Sequence, residues 1–331
     1  MNDDRPILIA GAGSIAKRHI RNLYTLGYRN LAVYNRSPEA LVSLVDEYNV
    51  QAFVDYEQSL DTFRPSVVFI CTPTAFHIAH ASLALKSGAH LFIEKPLSHS
   101  LEGVDALAKD IQASAAVIQV AYPLRFHPAL QQIKALLDDN AIGHLWWARA
   151  EFGQYLPDWR PQRDYRQSYT ARKALGGGII LDMSHELDYV LWLLGNPVEL
   201  VCMGGTVSDL DVDVEDCVTM LLRFENGAQA DIHVDCIQRV YSRICKIVGA
   251  RGTIEWQLRQ PSVRLCTPEA EREIPCPLDD LNAIYQAQVA HFFRCIDEGV
   301  TPIATLDEAI RVLRISVAAL TALERKESIS L

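Results

Sequence analysis

The chain has 331 residues, 49% of them hydrophobic and 22% charged, with a formal net charge of −10. That length exceeds one typical core and predicts two domains, while the acidic balance excludes a nonspecific nucleic-acid binder, which needs a basic face. No apolar run reaches the roughly 18–20 residues of a membrane span; the polar opening Met1-Asn2-Asp3-Asp4-Arg5-Pro6 does not read as a signal peptide, and 8 scattered cysteines without a C-x-x-C pair read as reduced thiols of a cytoplasmic protein without structural zinc.

Pro6-Ile7-Leu8-Ile9-Ala10 is a continuous apolar run, as a central parallel strand requires. It enters Gly11-Ala12-Gly13-Ser14-Ile15-Ala16, a G-x-G-x-x-A sequence, and helical spacing follows at Ile15, Ile20, Leu23 and Leu26. Gly11 permits the tight turn, Gly13 lets the backbone approach a pyrophosphate at the helix N-terminus, and Ala16 allows close helix–strand packing. With Ser14 and Ile15 these residues are the expected phosphate loop of a dinucleotide; the motif is weak alone but strong between a strand and a helix. The second strand, Leu31-Ala32-Val33-Tyr34, ends in Asn35-Arg36-Ser37 and not in the carboxylate that takes an NAD ribose. A neutral residue, a guanidinium and a hydroxyl suit a 2′-phosphate, which slightly favours NADP(H) over NAD(H). The competing reading puts Asn35 on a plain ribose, with Arg36 in water or stacked on the adenine.

Val67-Val68-Phe69-Ile70-Cys71 reads as a buried strand ending at Thr72-Pro73-Thr74, where a nicotinamide ribose would pass, and a helix runs from Phe76-His77 to Gly88. His77 is assigned to its first turn beside the cofactor, and His80 to packing. Leu91-Phe92-Ile93 is the next strand, and it ends in Glu94-Lys95-Pro96-Leu97. Ligands of an open parallel sheet bind outside the carboxyl ends of its strands, and Pro96 restricts the residue before it. Lys95 is therefore held stiffly where a ligand sits, with Glu94 setting its charge and orientation. A helix at Leu101 to Ala113 and a strand at Val117 to Ala121 complete a doubly wound parallel sheet in a domain of residues 1–124.

Residues 125–331 change character. Strands are expected at Leu145 to Phe152, at Cys217 to Phe224 and Ala228 to Val234 around the hairpin turn Glu225-Asn226-Gly227, and at Ile244 to Val248 and Thr253 to Trp256. They predict an α+β domain with a largely antiparallel open sheet. Helices follow at Ile284 to Asp297 and Leu306 to Leu323, the last expected to pack back on the first domain. Two stretches carry the chemistry. Tyr155 to Arg166 is a loop with aromatics, prolines and three arginines, Arg160, Arg163 and Arg166. Long loops in compact domains are usually functional, so it is expected to form part of a substrate pocket, with Arg163 and Tyr165 available to an anionic or nucleotide-linked sugar. Tyr122, Arg125 and His127 are expected on the substrate side as well. The second stretch, Gly176 to Gly195, puts Asp182, His185 and Asp188 at i, i+3 and i+6, on one helix face. A carboxylate beside a histidine raises its basicity and orients its ring. His185 is thus the candidate general acid/base, with Asp182 or Asp188 as its partner.

Taken together, Gly11 to Ala16, Thr72-Pro73, Glu94-Lys95-Pro96, Arg125-Phe126-His127-Pro128 and the glycine-rich lead into His185-Glu186-Leu187-Asp188 resemble the glucose–fructose oxidoreductase/inositol dehydrogenase (Gfo/Idh/MocA) family over nearly the whole chain. The resemblance implies that Lys95 is catalytic and contacts both the nicotinamide region and the reacting hydroxyl, and that His185 is the acid/base. It implies a substrate contact for an aspartate four residues before the histidine; here that position is Leu181, and Asp182 stands three before. Many relatives act on sugars, inositols or nucleotide sugars and associate through the open face of the second-domain sheet, which implies a homodimer or homotetramer. The expected function is an NAD(P)-dependent oxidoreductase moving a hydride between nicotinamide and a secondary alcohol or ketone of a sugar-like substrate, with no metal, nucleic acid or membrane involved. Two rival readings stay open: an enzyme using transient oxidation, like nicotinamide-dependent glycosidases, and a noncatalytic cofactor-binding sensor.

Overall fold

The computed structural model describes residues 4–331; Met1 to Asp3, the start of the polar leader, lie outside the described residues. The chain divides into two compact units, residues 1–123 with Asn282–Ile310 and Leu124–Leu281 with Arg311–Leu331. No described helix is long and apolar enough to cross a membrane.

In the first unit, strands and helices alternate: β1 (Ile7–Ala10), α1 (Ser14–Thr25), β2 (Leu31–Tyr34), α2 (Glu39–Tyr48), β3 (Gln51–Phe53), α3 (Tyr56–Phe63), β4 (Val67–Ile70), α4 (His77–Lys86), β5 (His90–Glu94), α5 (Val104–Gln112) and β6 (Ile118–Ala121). The sheet order is β3-β2-β1-β4-β5-β6 and every pair is parallel. Chain order reverses between β1 and β4, and ligands bind at such a switch point. The strands flanking it are apolar at every position and buried at every position, because helices cover both faces of a parallel sheet. Edge strand β3 is short and largely exposed, so its Gln51-Ala52-Phe53 carries no apolar run to betray it.

The second unit holds α6 (Pro128–Asp138), β7 (Leu145–Gly153), α7 (Leu156–Trp159), α8 (Ile179–Asp182), α9 (Ser184–Leu194), β8 (Pro197–Gly205), β9 (Cys217–Phe224), β10 (Gln229–Asp235), β11 (Ser242–Gly249), β12 (Gly252–Gln257), β13 (Ser262–Cys266) and β14 (Glu271–Pro275). Its sheet runs β14-β13-β12-β11-β7-β10-β9-β8, with the short β15 (Ile329–Ser330) beyond β8. The sheet is antiparallel except where β10 lies parallel to β7. Side chains alternate as the strand period requires. Ala148, Ala150 and Phe152 of β7 and Val218, Met220 and Leu222 of β9 are buried, and α9 packs against β7 and β10. The other face carries ion pairs, Arg149–Asp231 at 2.6 Å and Lys246–Glu255 at 2.7 Å, beside exposed Val201, Met203 and Leu221.

The chain then returns to the first unit. Helix α10 (Asn282–Glu298) sets Phe292 edge-on to Phe92 (centroids 5.4 Å) and stacks Phe293 on Tyr28 (4.1 Å). Each fully buried phenylalanine contributes roughly 1.5–3 kcal/mol. A division into contiguous blocks 1–124 and 125–331 does not contain this return. The final helix, α11 (Leu306–Arg325), begins in the first unit, and from Arg311 onward its contacts group it with the second.

Candidate active site

Gly11 ends β1 at φ +116°, and a Cβ there would stand 2.6 Å from the Cys71 carbonyl oxygen, so no other residue fits between β1 and the end of β4. Gly13 precedes α1 and offers no side-chain cap; a Cβ on it would meet nothing within 4 Å. The first backbone N–H groups of α1, from Ser14 and Ile15, therefore face an open cradle at the positive end of a helix. That cradle fits a pyrophosphate.

At the end of β2, Asn35 Nδ2 donates to the Ser37 carbonyl (3.1 Å), and the Ser37 hydroxyl donates to Glu39 (2.5 Å). The Arg36 guanidinium sits 5.0 Å from the Phe76 ring centroid. Beyond β4, Thr72 Oγ1 is 3.1 Å from His80 Nδ1, and His80 packs on Tyr56. Burial pushes the His80 imidazole down to about 4, with His77 and Arg36 adding to the shift, so it is neutral near pH 7.

Lys95 follows β5 through a cis Lys95–Pro96 peptide. It is bracketed by two buried histidines. On one side His19 of α1, with Nε2 2.6 Å from Glu94 Oε1, lies against Phe69 and Phe92. On the other, His77 Nδ1 is 2.9 Å from the Pro96 carbonyl and Nε2 is 2.8 Å from the Thr72 carbonyl. Carbonyls only accept, so a neutral ring serves one of them and an imidazolium serves both. Burial pushes the His77 pKa below its ordinary value, against the two carbonyls and Glu94, which favour the charged ring. Both ring nitrogens face protein carbonyls, and His77 ties the Thr72-Pro73 turn to the Lys95-Pro96 turn.

In the second unit the expected single helix under Asp182, His185 and Asp188 is two helices. Met183, at φ −99° and ψ 32°, separates α8 from α9. Asp182 therefore closes α8, and His185 lies in the first turn of α9. Its Oδ1 accepts from the Tyr169 hydroxyl and its Oδ2 from Thr170 Oγ1, both at 2.6 Å. Asp188 shares α9 with His185 but is clamped by Arg125, with Nε at 3.0 Å from Oδ2 and Nη2 at 2.8 Å from Oδ1. Arg125 is 1% exposed, and its guanidinium is the buried partner of a buried carboxylate. Removing one member of such a pair typically costs about 3–5 kcal/mol, because the other charge is stranded. Tyr122 and His127 are buried as well. His127 caps α6, its Nδ1 accepting from the Ala129 N–H at 3.1 Å.

Two of the three glycines before α8, Gly177 and Gly178, have a steric reason. A Cβ on Gly177 would stand 2.2 Å from the Tyr169 carbonyl oxygen. The chain passes that close because Tyr169 and Thr170 must reach Asp182. Arg163 and Tyr165 both line a cavity in the loop after β7. Sequence reasoning missed His19, Tyr169, Thr170 and the buried Glu186–Arg243 ion pair (2.8 Å). His19 alone left a trace, a histidine among the apolar positions of α1. Among the described residues no group of three or more His, Cys, Asp or Glu side chains is placed to hold a metal ion.

A parallel sheet with a glycine cradle at its switch point, and a lysine at the end of β5, defines a dinucleotide-binding protein with a cation at the ligand crevice. Comparison with known proteins gives the family. Residues 5–122 match the NAD-binding Rossmann fold of the oxidoreductase family, and residues 130–255 match the GFO/IDH/MocA C-terminal domain. The chain belongs to the Gfo/Idh/MocA family. It is 25% identical over 340 residues to the myo-inositol 2-dehydrogenase of Thermotoga maritima, covering 98% of this chain and 97% of that one. To the scyllo-inositol 2-dehydrogenase (NAD(+)) of Bacillus subtilis it is 26% identical over 325 residues, covering 94% and 92%. A solved levoglucosan dehydrogenase in complex with NADH shares the fold, with a TM-score of 0.89 over 99% of both chains at 20% identity.

Proposed function

We propose that the protein interconverts a secondary alcohol and a ketone on a polyol or sugar, using a nicotinamide dinucleotide. The observation that carries this is Lys95 at the end of β5, with its neighbours Glu94 and Pro96 each anchored by a buried histidine. Inositol and sugar substrates come from the names of the relatives. A bound nicotinamide supplies the hydride acceptor in oxidation and the donor in reduction. The backbone of Gly11, Gly13, Ser14 and Ile15 holds the pyrophosphate. Asn35 and Arg36 hold the adenosine end, and Thr72 and Pro73 line the nicotinamide ribose. In oxidation His185 accepts the hydroxyl proton, and the Lys95 ammonium donates a hydrogen bond to the oxygen as it gains charge. General base catalysis contributes typically ~10²–10⁴-fold, and electrostatic stabilisation is often larger. Asp182 acts by holding Tyr169 and Thr170 in place.

Preference for NADP(H) over NAD(H) rests on Arg36. It is opposed by Glu39, whose carboxylate takes the Ser37 hydroxyl and so occupies one of the groups that would otherwise be offered to a 2′-phosphate. The outer face of the mixed sheet is the proposed surface of a homo-oligomer. Met203 is 77% and Leu221 52% exposed there, and Val201 is the cross-strand neighbour of Leu221. Exposed apolar patches of that kind mark association surfaces.

The test is the absorbance of reduced cofactor when the protein meets NAD⁺ or NADP⁺ with myo-inositol, scyllo-inositol and a series of aldoses and their acids. Reduction with at least one of them is expected. A protein that binds cofactor and reduces it with none would remove this reading, and cofactor retained through turnover without net reduction would favour the transient-oxidation mechanism.

A further inference from the structure

A cavity of about 380 Å³ opens in the second unit, walled by the segment from Leu156 to Ser168. Ligand pockets for small molecules run from roughly 300 to 1,000 Å³, and this volume falls within that range. Two aromatic side chains line it. The Trp159 indole N–H is engaged by the Gln154 carbonyl at 2.9 Å, which leaves an apolar wall. The Tyr165 hydroxyl accepts from the Asp211 backbone N–H at 3.1 Å and keeps its own proton to donate. The charge in the lining is unbalanced. Asp164 is the one acid there, and Arg166 takes both its oxygens, with Nε at 2.9 Å from Oδ1 and Nη2 at 2.8 Å from Oδ2. The lining cations Arg160 and Arg163 have no ion pair among the described residues. The wall is also tied to the proposed chemistry, since Ser168 leads directly into Tyr169 and Thr170, which bond Asp182.

Guanidinium groups pair with carboxylates and phosphates in a bidentate geometry, and aromatic faces accept the apolar face of a sugar ring. We propose that this cavity receives the anionic group of the substrate, a carboxylate or phosphate carried on a sugar or polyol, with Arg160 and Arg163 as its cations and Trp159 and Tyr165 as its wall. The proposal rests on the dehydrogenase reading above and narrows its substrate class.

The experiment compares D-glucose, D-glucuronate and D-glucose 6-phosphate as substrates of the wild type and of Arg160→Gln/Arg163→Gln. Dissociation constants from tryptophan fluorescence are read alongside. An acidic sugar is expected to be preferred by the wild type. The double variant should lose roughly 10- to 100-fold in kcat/KM on it, mostly through KM and at least several-fold more than on glucose. Arg160→Lys/Arg163→Lys should recover part of the loss. Which of the two acids responds separates a carboxylate from a phosphate source. Equal losses on neutral and acidic sugars, or a wild-type preference for glucose, would overturn the proposal. If none of the three is oxidised, binding decides: arginine-dependent affinity for an acidic sugar supports the cavity, arginine-independent binding overturns it, and the dehydrogenase reading is judged separately by the wider inositol and aldose series.

Discussion

His127 shows how much one side chain's chemistry depends on its fold. Its Nδ1 must carry no proton in order to cap α6, and burial, reinforced by Arg243, holds its imidazole down to about 4. The unfolded chain takes up that proton near pH 6.5 and the folded chain does not, so the native state loses stability as pH falls from about 6.5 toward 4. At pH 5 the loss from this residue is about 2 kcal/mol. Asparagine caps a helix as well as any residue and does not titrate. Urea melts of His127→Asn should therefore show a shallower loss between pH 7 and pH 5 than the wild type, and parallel curves would refute the assignment. At this scale the sequence was partly legible. Gly11 and Lys95 are readable because a tight turn and a strand-end ligand site restrict residue type locally. The pairing of Arg125 with Asp188 is not, because its two members lie 63 positions apart.

The stretch from Tyr169 to Leu194 makes the same point for elements. Apolar spacing on either side of Met183 reads as one helix, since methionine carries no breaking signal. What divides it is tertiary: Asp182 is drawn to Tyr169 and Thr170, and Ile179 and Ile180 donate their N–H groups to the Glu215 carbonyl and side chain. The glycines before α8 are legible as unusual, but the reason for Gly177 is the neighbouring backbone and that for Gly178 the Glu215 side chain. Gly177→Ala forces a backbone shift, because its Cβ would overlap the Tyr169 carbonyl. Overpacking of this kind costs about 1–3 kcal/mol. A lowered melting temperature together with a reduced kcat is expected; wild-type melting and turnover would show that the segment adapts without displacing Asp182.

For the whole molecule, the alternation of apolar strands and helices is enough to read a doubly wound sheet, and the hairpin at Glu225-Asn226-Gly227 points to the antiparallel one. The parallel pairing of β7 with β10 and the return of α10 to the first unit are not local properties, and nothing in the intervening residues announces them. The outer sheet face bears on assembly. Leu221→Glu with Met203→Glu places two charges in the proposed contact, where buried unpaired charge costs several kcal/mol. Sedimentation should show the wild type as a dimer or tetramer and the double variant as a smaller species; a monomeric wild type would contradict the proposed surface.

The central claim is that Lys95 supplies the charge for hydride transfer while the glycine cradle binds cofactor independently of it. Lys95→Met retains length and removes the ammonium. Paired measurements of kcat and of the cofactor dissociation constant in this variant test the claim most directly. The expected result is a fall in kcat of at least about 1,000-fold, with cofactor affinity near that of the wild type. Turnover within about tenfold of the wild type in a correctly folded Lys95→Met protein would contradict it, because a lost electrostatic contact in a site of this kind costs more than that.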